Sequence, residues 1–236
     1  MMKHDMTIKS LNAFLANHWH LIGMTILVFL LWKTPVAMPL RILIVFLHEL
    51  SHALAAILTG GKVTALTLSS LEGGSATTIG GNFFVIASAG YLGSLLLGLL
   101  MLFLALRTGW DRWIVGALGA TLLGLSLLYF RTVFAFGFGI ASGAMLVALA
   151  RFGGRKLCDI LLRIIGLTSI VYVPYDIVSD TLLRASAQSD ARIIAESFGG
   201  PTMFWGVLWL ALSLGVIGLA IRYGLGARSN IDFKRN

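Results

Sequence analysis

Long apolar runs dominate this sequence and restrict the folds that are open to it. Several runs approach or exceed about 20 residues, the length that a helix needs to cross a hydrocarbon core about 30 Å thick. Hydrophobic residues make up 58% of the 236 residues and charged residues 12%, against roughly 25% charged residues in a soluble domain. Because backbone in lipid must satisfy its polar groups within the segment, runs of this length predict helices.

These runs predict an all-α polytopic membrane protein with six to seven transmembrane helices in a single domain, 1–236. The count is seven, or six if the short first run lies along the membrane surface. The predicted spans are residues 19–32, 36–59, 83–106, 113–130, 132–150, 157–183 and 203–222. The expected location is a membrane, the plasma (inner) membrane if the source is bacterial.

A change of composition separates the second span from the third. Residues 60–81 are rich in glycine, small residues and β-branched residues, with the turn signal Glu72-Gly73-Gly74 near the middle. This pattern predicts a small β-hairpin at the membrane edge.

The charge balance, 18 Lys and Arg against 10 Asp and Glu, first suggests a nucleic-acid partner. The basic residues stand singly or in pairs at the ends of apolar runs, however, as membrane-flanking residues do. No basic stripe with interleaved aromatic residues is present. The lipid bilayer is therefore the expected partner, with no nucleic acid. The single cysteine, Cys158, excludes an intrachain disulfide.

The second span, 36–59, carries a charged cluster deep within an apolar run, in FLHELSHALAA. His48 and His52 are four residues apart, so a helix places them on one face, one turn from each other. Two imidazoles at this spacing can reach one zinc ion, and Glu49 can act as general base without being a ligand. Buried ionisable residues in a membrane span are costly and typical of a functional site. The alternative is a polar contact that only joins helices.

HELSHALAA, followed by GGKV, a Gly-rich hairpin and ASAGYLGS, resembles the site-2 protease family of intramembrane zinc metallopeptidases, especially its compact branch without a PDZ domain. The resemblance covers residues 36–98 best. It implies a Zn²⁺ cofactor. It also implies a small-residue motif on the next span that packs against the HExxH helix, the second span, in which HELSH is the HExxH pattern. Ala89, Gly90, Gly93 and Ser94 match that motif, although small residues also let helices approach closely without any catalytic role.

A catalytic zinc site has three protein ligands and an open position, so a third ligand is needed. In the family that this sequence resembles, an aspartate after a proline-containing loop supplies it, usually within LDG, which is absent here. Asp176 follows Pro174, predicted to interrupt the sixth span, and is the preferred ligand. Asp180, one turn further on, is the alternative. Asp190 ranks third, because a solvated aspartate capping a helix over 191–196 explains it equally well.

Together these features predict a zinc metalloendopeptidase that hydrolyses a peptide bond in or near a transmembrane segment of a protein or peptide substrate. Two other functions stay open: a proteolytically inactive scaffold or chaperone, and an ion or proton transporter. The intact HELSH favours the protease, because a scaffold has no need of Glu49. Transporters often contain repeated halves, and none is visible here.

Overall fold

The computed structural model describes residues 2–183, 189–224 and 229–231. Seven helices in this part of the chain are long and apolar enough to cross a membrane, which confirms the predicted multi-pass architecture. The eighth, α7, is short. The helices are α1 Met2–Leu31, α2 Met38–Leu58, α3 Phe83–Arg107, α4 Asp111–Leu128, α5 Val133–Phe152, α6 Gly154–Val178, α7 Asp190–Phe198 and α8 Thr202–Gly224.

The predicted hairpin is present and lies along α2. Strands β1 (Lys62–Leu68) and β2 (Gly74–Ile79) pair antiparallel, with Lys62 opposite Ile79. The hairpin begins just after the end of α2, and its turn reaches back to the first turn of that helix, where Glu72 Oε1 lies 2.8 Å from Arg41 Nη2. The hairpin therefore lies alongside α2, the HExxH helix, over most of the length of the helix.

Two buried leucines attach the hairpin to the helices. Leu66 and Leu68 of β1 are 0% and 3% exposed and belong to the same apolar core as the first half of α2. The Leu66 amide also donates to the Tyr129 carbonyl, at 3.0 Å, just after α4. Strand β1 thus contacts the end of α4. Strand β2 lines the same cavity as Asp176, Asp180 and Asp190.

Helix α3 lies between α2 and α6 and approaches both through small residues. Gly93 faces Ser51 of α2, and a Cβ built on Gly93 would lie 2.6 Å from the Ser51 Cβ. On the other side Gly98 faces Ser169 of α6, again with 2.6 Å to the serine Cβ. The Ser169 hydroxyl donates to the Ser94 carbonyl at 2.8 Å. Small residues at such crossings are what allows helices to pack closely in lipid.

The predicted interruption of the sixth span at Pro174 was wrong. Helix α6 passes through Pro174 and continues to Val178, and a π-helical turn, Ser179–Leu183, follows. A proline removes only its own N–H and crowds the carbonyl four residues earlier, and a membrane helix can absorb this. The irregular backbone therefore begins about one turn later than expected, at the level of Asp180.

Candidate metal centre

His48, His52 and Asp190 converge on one point at the middle of α2. One carboxylate oxygen, Asp190 Oδ2, lies 3.0 Å from His48 Nε2 and 3.2 Å from His52 Nε2. The three possible ligand atoms all lie within 4.8 Å of one another. Among the residues that the structure describes, this is the one group of three or more His, Cys, Asp or Glu side chains arranged to hold a metal ion.

The contacts of His52 establish which of its nitrogens faces the centre as an acceptor. His52 Nδ1 lies 2.6 Å from the Ile86 carbonyl oxygen, and a carbonyl only accepts, so Nδ1 carries the proton. In the neutral imidazole Nε2 then presents a lone pair to the Asp190 carboxylate. Two acceptors at 3.2 Å require a cation or a proton between them. A backbone carbonyl that orients a histidine in this way is typical of metal ligands.

Asp190, which reaches the two histidines, is the first residue of the short helix α7. The residue before it, Ser189, is the N-cap, and its hydroxyl accepts from the Arg192 amide at 3.3 Å. The interpretation of Asp190 as a solvated cap was therefore wrong: Ser189 caps the helix. Burial would raise the pKa of the Asp190 carboxyl, but His52 and His48 overcome this effect and hold that pKa below its usual range.

Helix α7 points inward because of its own apolar face. Ala191, Ile194 and Ala195 are buried, and their spacing of three and four residues makes one stripe along the helix. Trp209 of α8 and Tyr91 of α3 belong to the core cluster that covers this stripe. That amphipathic spacing was the signal in the sequence for an inward-facing Asp190, but the segment lies outside the apolar spans.

Asp176 and Asp180 lie near the centre without joining the three-residue group. The Tyr91 hydroxyl donates to Asp180 Oδ2 at 2.7 Å, and Tyr172 and Asp176 line the cavity together. Both aspartates line the same cavity as His48. The structure thus brings Asp190, and neither the preferred Asp176 nor the alternative Asp180, to the two histidines.

Glu49 lies beside the histidines and against the hairpin. Its side chain is buried, at 6% exposure, and it is not one of the three grouped residues. Gly74, the first residue of β2, is so close that a Cβ there would lie 2.5 Å from Glu49 Oε1 and 2.9 Å from Val45 Cγ1. The strand backbone therefore borders the glutamate carboxylate directly, with no side chain between them.

The small-residue motif of α3 packs on α2 where the sequence placed it. Gly90 faces His48, and a Cβ at this position would lie 2.6 Å from His48 Cε1 and would overlap the Asp190 carboxylate. Tyr91, fully buried, turns its ring edgewise to the His48 ring, with 5.3 Å between ring centres. Gly90 leaves the space in which histidine and aspartate meet, and Tyr91 limits the movement of the imidazole.

A cavity of about 390 Å³ opens beside these residues. Its wall combines the HExxH side chains, one strand of the hairpin and the acidic residues of α6 and α7. The residues of the hairpin that line it are Glu72, Gly73, Gly74, Ser75, Ala76 and Thr78. A small polar ligand or an extended chain in this cavity would therefore touch β2 and Glu49 together.

The donor set fits zinc. Two imidazole nitrogens and one carboxylate oxygen make one of the three-ligand sets of catalytic zinc sites, which keep a further position open. Ligand atoms bound tetrahedrally at about 2.1 Å lie roughly 3.4 Å apart, close to the 3.0 and 3.2 Å separations here. The cavity supplies the open side.

Fold and site together define a multi-pass membrane protein with a candidate metal centre of two histidines and one aspartate. A family model described as Peptidase M50B-like matches residues 21–220, which include every residue of this centre and Glu49. The chain belongs to this family, a branch of the site-2 protease family of metallopeptidases. No curated protein and no solved structure matches it.

The close approach of Gly90 predicts that Gly90→Ala impairs metal binding although neither histidine is changed. The added methyl group has to push His48 or Asp190 out of place, so we expect at least about a tenfold loss of zinc affinity, as for disturbed supporting residues at metal sites. Zinc titration of the purified protein measures it. Gly124→Ala is the matched control, because nothing lies within 4 Å of its Cβ position. Equal affinity in both variants would contradict the packing argument.

Proposed function

We propose that this protein is an intramembrane zinc metalloprotease that hydrolyses peptide bonds in or near transmembrane segments. The observation that carries the proposal is the convergence of His48, His52 and Asp190 on one point beside the buried Glu49. His48 is ten residues into α2, which corresponds to about 15 Å along the helix. A polar contact that merely joined helices would not need a glutamate at the edge of an open cavity.

His48, His52 and Asp190 are the residues that would hold zinc. Zinc held in this way acts as a Lewis acid towards a peptide carbonyl and towards water. His52 is kept in the ligating tautomer by the Ile86 carbonyl, at 2.6 Å. Tyr91 keeps the His48 ring in place, and its own hydroxyl is anchored on Asp180 at 2.7 Å.

Glu49 is the general base and later the proton donor in this proposal. Its carboxylate borders the cavity and lies next to the ligands without being grouped with them. It would accept a proton from the attacking water and transfer it to the nitrogen of the leaving amine. Glutamate in the HExxH pattern has this role in zinc peptidases.

The substrate, in this proposal, binds in extended form along β2. A helical substrate hides its peptide carbonyls in hydrogen bonds, so it has to unwind before cleavage. In the described sheet β2 pairs with β1 only, and its residues line the cavity beside Glu49. An extended segment added to that edge would form backbone hydrogen bonds in the manner of β-strand addition. Gly74 lets the strand lie close enough to Glu49 for this.

The ligand assignment predicts that Asp190→Ala abolishes stoichiometric zinc binding, whereas Asp176→Ala and Asp180→Ala retain it. Loss of a direct ligand should weaken zinc by at least about 100-fold, more than loss of a supporting residue. Metal analysis of the purified proteins beside wild type measures the content. If Asp176→Ala lost zinc and Asp190→Ala kept it, Asp176 would be the third ligand.

The role of Glu49 predicts that Glu49→Gln retains zinc and loses cleavage. General base catalysis contributes typically about 10²- to 10⁴-fold, so the cleavage rate should fall by that factor while the metal content stays at the wild-type level. Glu196→Gln is the matched control, since Glu196 lies exposed on α7 in an ion pair with Arg192. Cleavage by Glu49→Gln at the wild-type rate would contradict the assignment of Glu49 as the general base. Absence of cleavage by wild type, with zinc bound, would favour the inactive scaffold.

Strand addition predicts that helix-breaking residues in a substrate accelerate its cleavage. Glycine costs a helix about 1 kcal/mol relative to alanine, so one glycine near the scissile bond should raise the rate about fivefold if unwinding precedes the chemical step. A single-span substrate with the glycine next to the bond is compared with one carrying it three turns away. Equal rates for the two substrates would refute the requirement for unwinding.

A further inference from the structure

A second cavity, of about 690 Å³, lies between α1, α3, α6 and α8 and shares no lining residue with the candidate metal centre. Its wall is almost entirely apolar. Two of its polar side chains are already bonded: the Thr25 hydroxyl donates to the Leu21 carbonyl at 2.9 Å, and His18 Nδ1 lies 2.6 Å from Ser229 Oγ. The volume lies within the range of small-molecule sites.

Two membrane spans end together at one end of the cavity. Arg107, the last residue of α3, donates from Nη2 to the carbonyl of Gly224, the last residue of α8, at 2.8 Å. The lining residues run from Leu99 to Leu106 on α3 and from Ile217 to Gly224 on α8. Seven residues of helix correspond to about 10 Å, so α3 and α8 line the cavity over about 10 Å from their ends. On α1 the lining residues run from Phe14 to Ile26, which corresponds to about 18 Å of helix.

Two arginines stand beside aromatic rings at this end of the cavity. The Arg107 guanidinium lies 5.8 Å from the Phe103 ring centre, and the Arg222 guanidinium lies 5.5 Å from the Tyr223 ring centre. Both rings belong to lining residues, and the described lining contains no Asp or Glu. The bond to Gly224 uses one nitrogen of Arg107, and a guanidinium has five N–H groups in all. The apolar cavity thus has a cationic rim.

We propose that this cavity binds an anionic phospholipid, with an acyl chain between the four helices and the phosphate beside Arg107 and Arg222. The arginines lie at span ends, where lipid headgroups are found, and basic residues there attract anionic lipids. The site is independent of the proposed protease chemistry.

Native mass spectrometry of the full-length protein in detergent tests the site. The probes are phosphatidylglycerol and phosphatidylcholine with the same palmitoyl and oleoyl chains, so that only the headgroup differs. Wild type should hold one phosphatidylglycerol about five- to thirtyfold more tightly than phosphatidylcholine, as two arginines near a membrane surface predict.

Two changes separate the headgroup from the acyl chain. The double variant Arg107→Gln/Arg222→Gln should lose the preference for phosphatidylglycerol and keep the phosphatidylcholine affinity. Ile221→Trp, at a half-exposed lining residue, should narrow the cavity and weaken both lipids. Arg151→Gln is the matched control, because Arg151 also lies over a ring, Phe152 at 5.4 Å, but Phe152, unlike Phe103 and Tyr223, does not line the cavity.

The results that overturn the proposal are equally specific. Equal binding of the two lipids to wild type would exclude a headgroup site. An unchanged preference in the double arginine variant, or the same loss of preference in Arg151→Gln, would place the effect outside this cavity. Zinc content and circular dichroism of each variant show that the fold is retained, and a variant that fails this check is replaced by the corresponding single arginine change.

Discussion

At Gly90, α3 comes so close to α2 that no side chain larger than hydrogen fits between the helix backbone and the His48 ring. The rest of the candidate centre depends on this contact. It brings the Ile86 carbonyl to His52 and leaves the space that the Asp190 carboxylate enters. In lipid, where apolar surfaces gain little from one another, close backbone approach and hydrogen bonds are what hold helices together. The geometry of the centre is therefore a consequence of helix packing.

Three contacts between polar side chains of this fold join different elements. Asp190 meets the two histidines, Asp180 accepts from Tyr91, and Glu72 pairs with Arg41. An ionisable group inside a membrane is tolerated when it is paired or serves a function. The first two of these contacts place polar groups around one cavity, and the third ties the hairpin turn to α2. The result is a polar cavity beside apolar outer faces.

The two cavities differ in the chemistry of the residues that line them. One is bordered by β2, Glu49 and the metal-binding group, and the other is an apolar space with arginines at its rim. Helices α3 and α6 contribute residues to both. The same two helices that position the candidate centre through small-residue contacts therefore form a surface suited to a lipid.

The sequence by itself determined the membrane spans, the hairpin and the pair of histidines with Glu49, because each is a local pattern of period or composition within a few turns. The small residues of α3 were recognisable for the same reason. The third member of the centre was decided by the tertiary structure. Asp176, Asp180 and Asp190 are all acidic residues near the end of the sixth span, and spacing cannot rank them. Asp190, 142 positions from His48 in the chain, lies at the two histidines because α7 buries its apolar stripe, whereas the Asp180 carboxylate accepts from Tyr91.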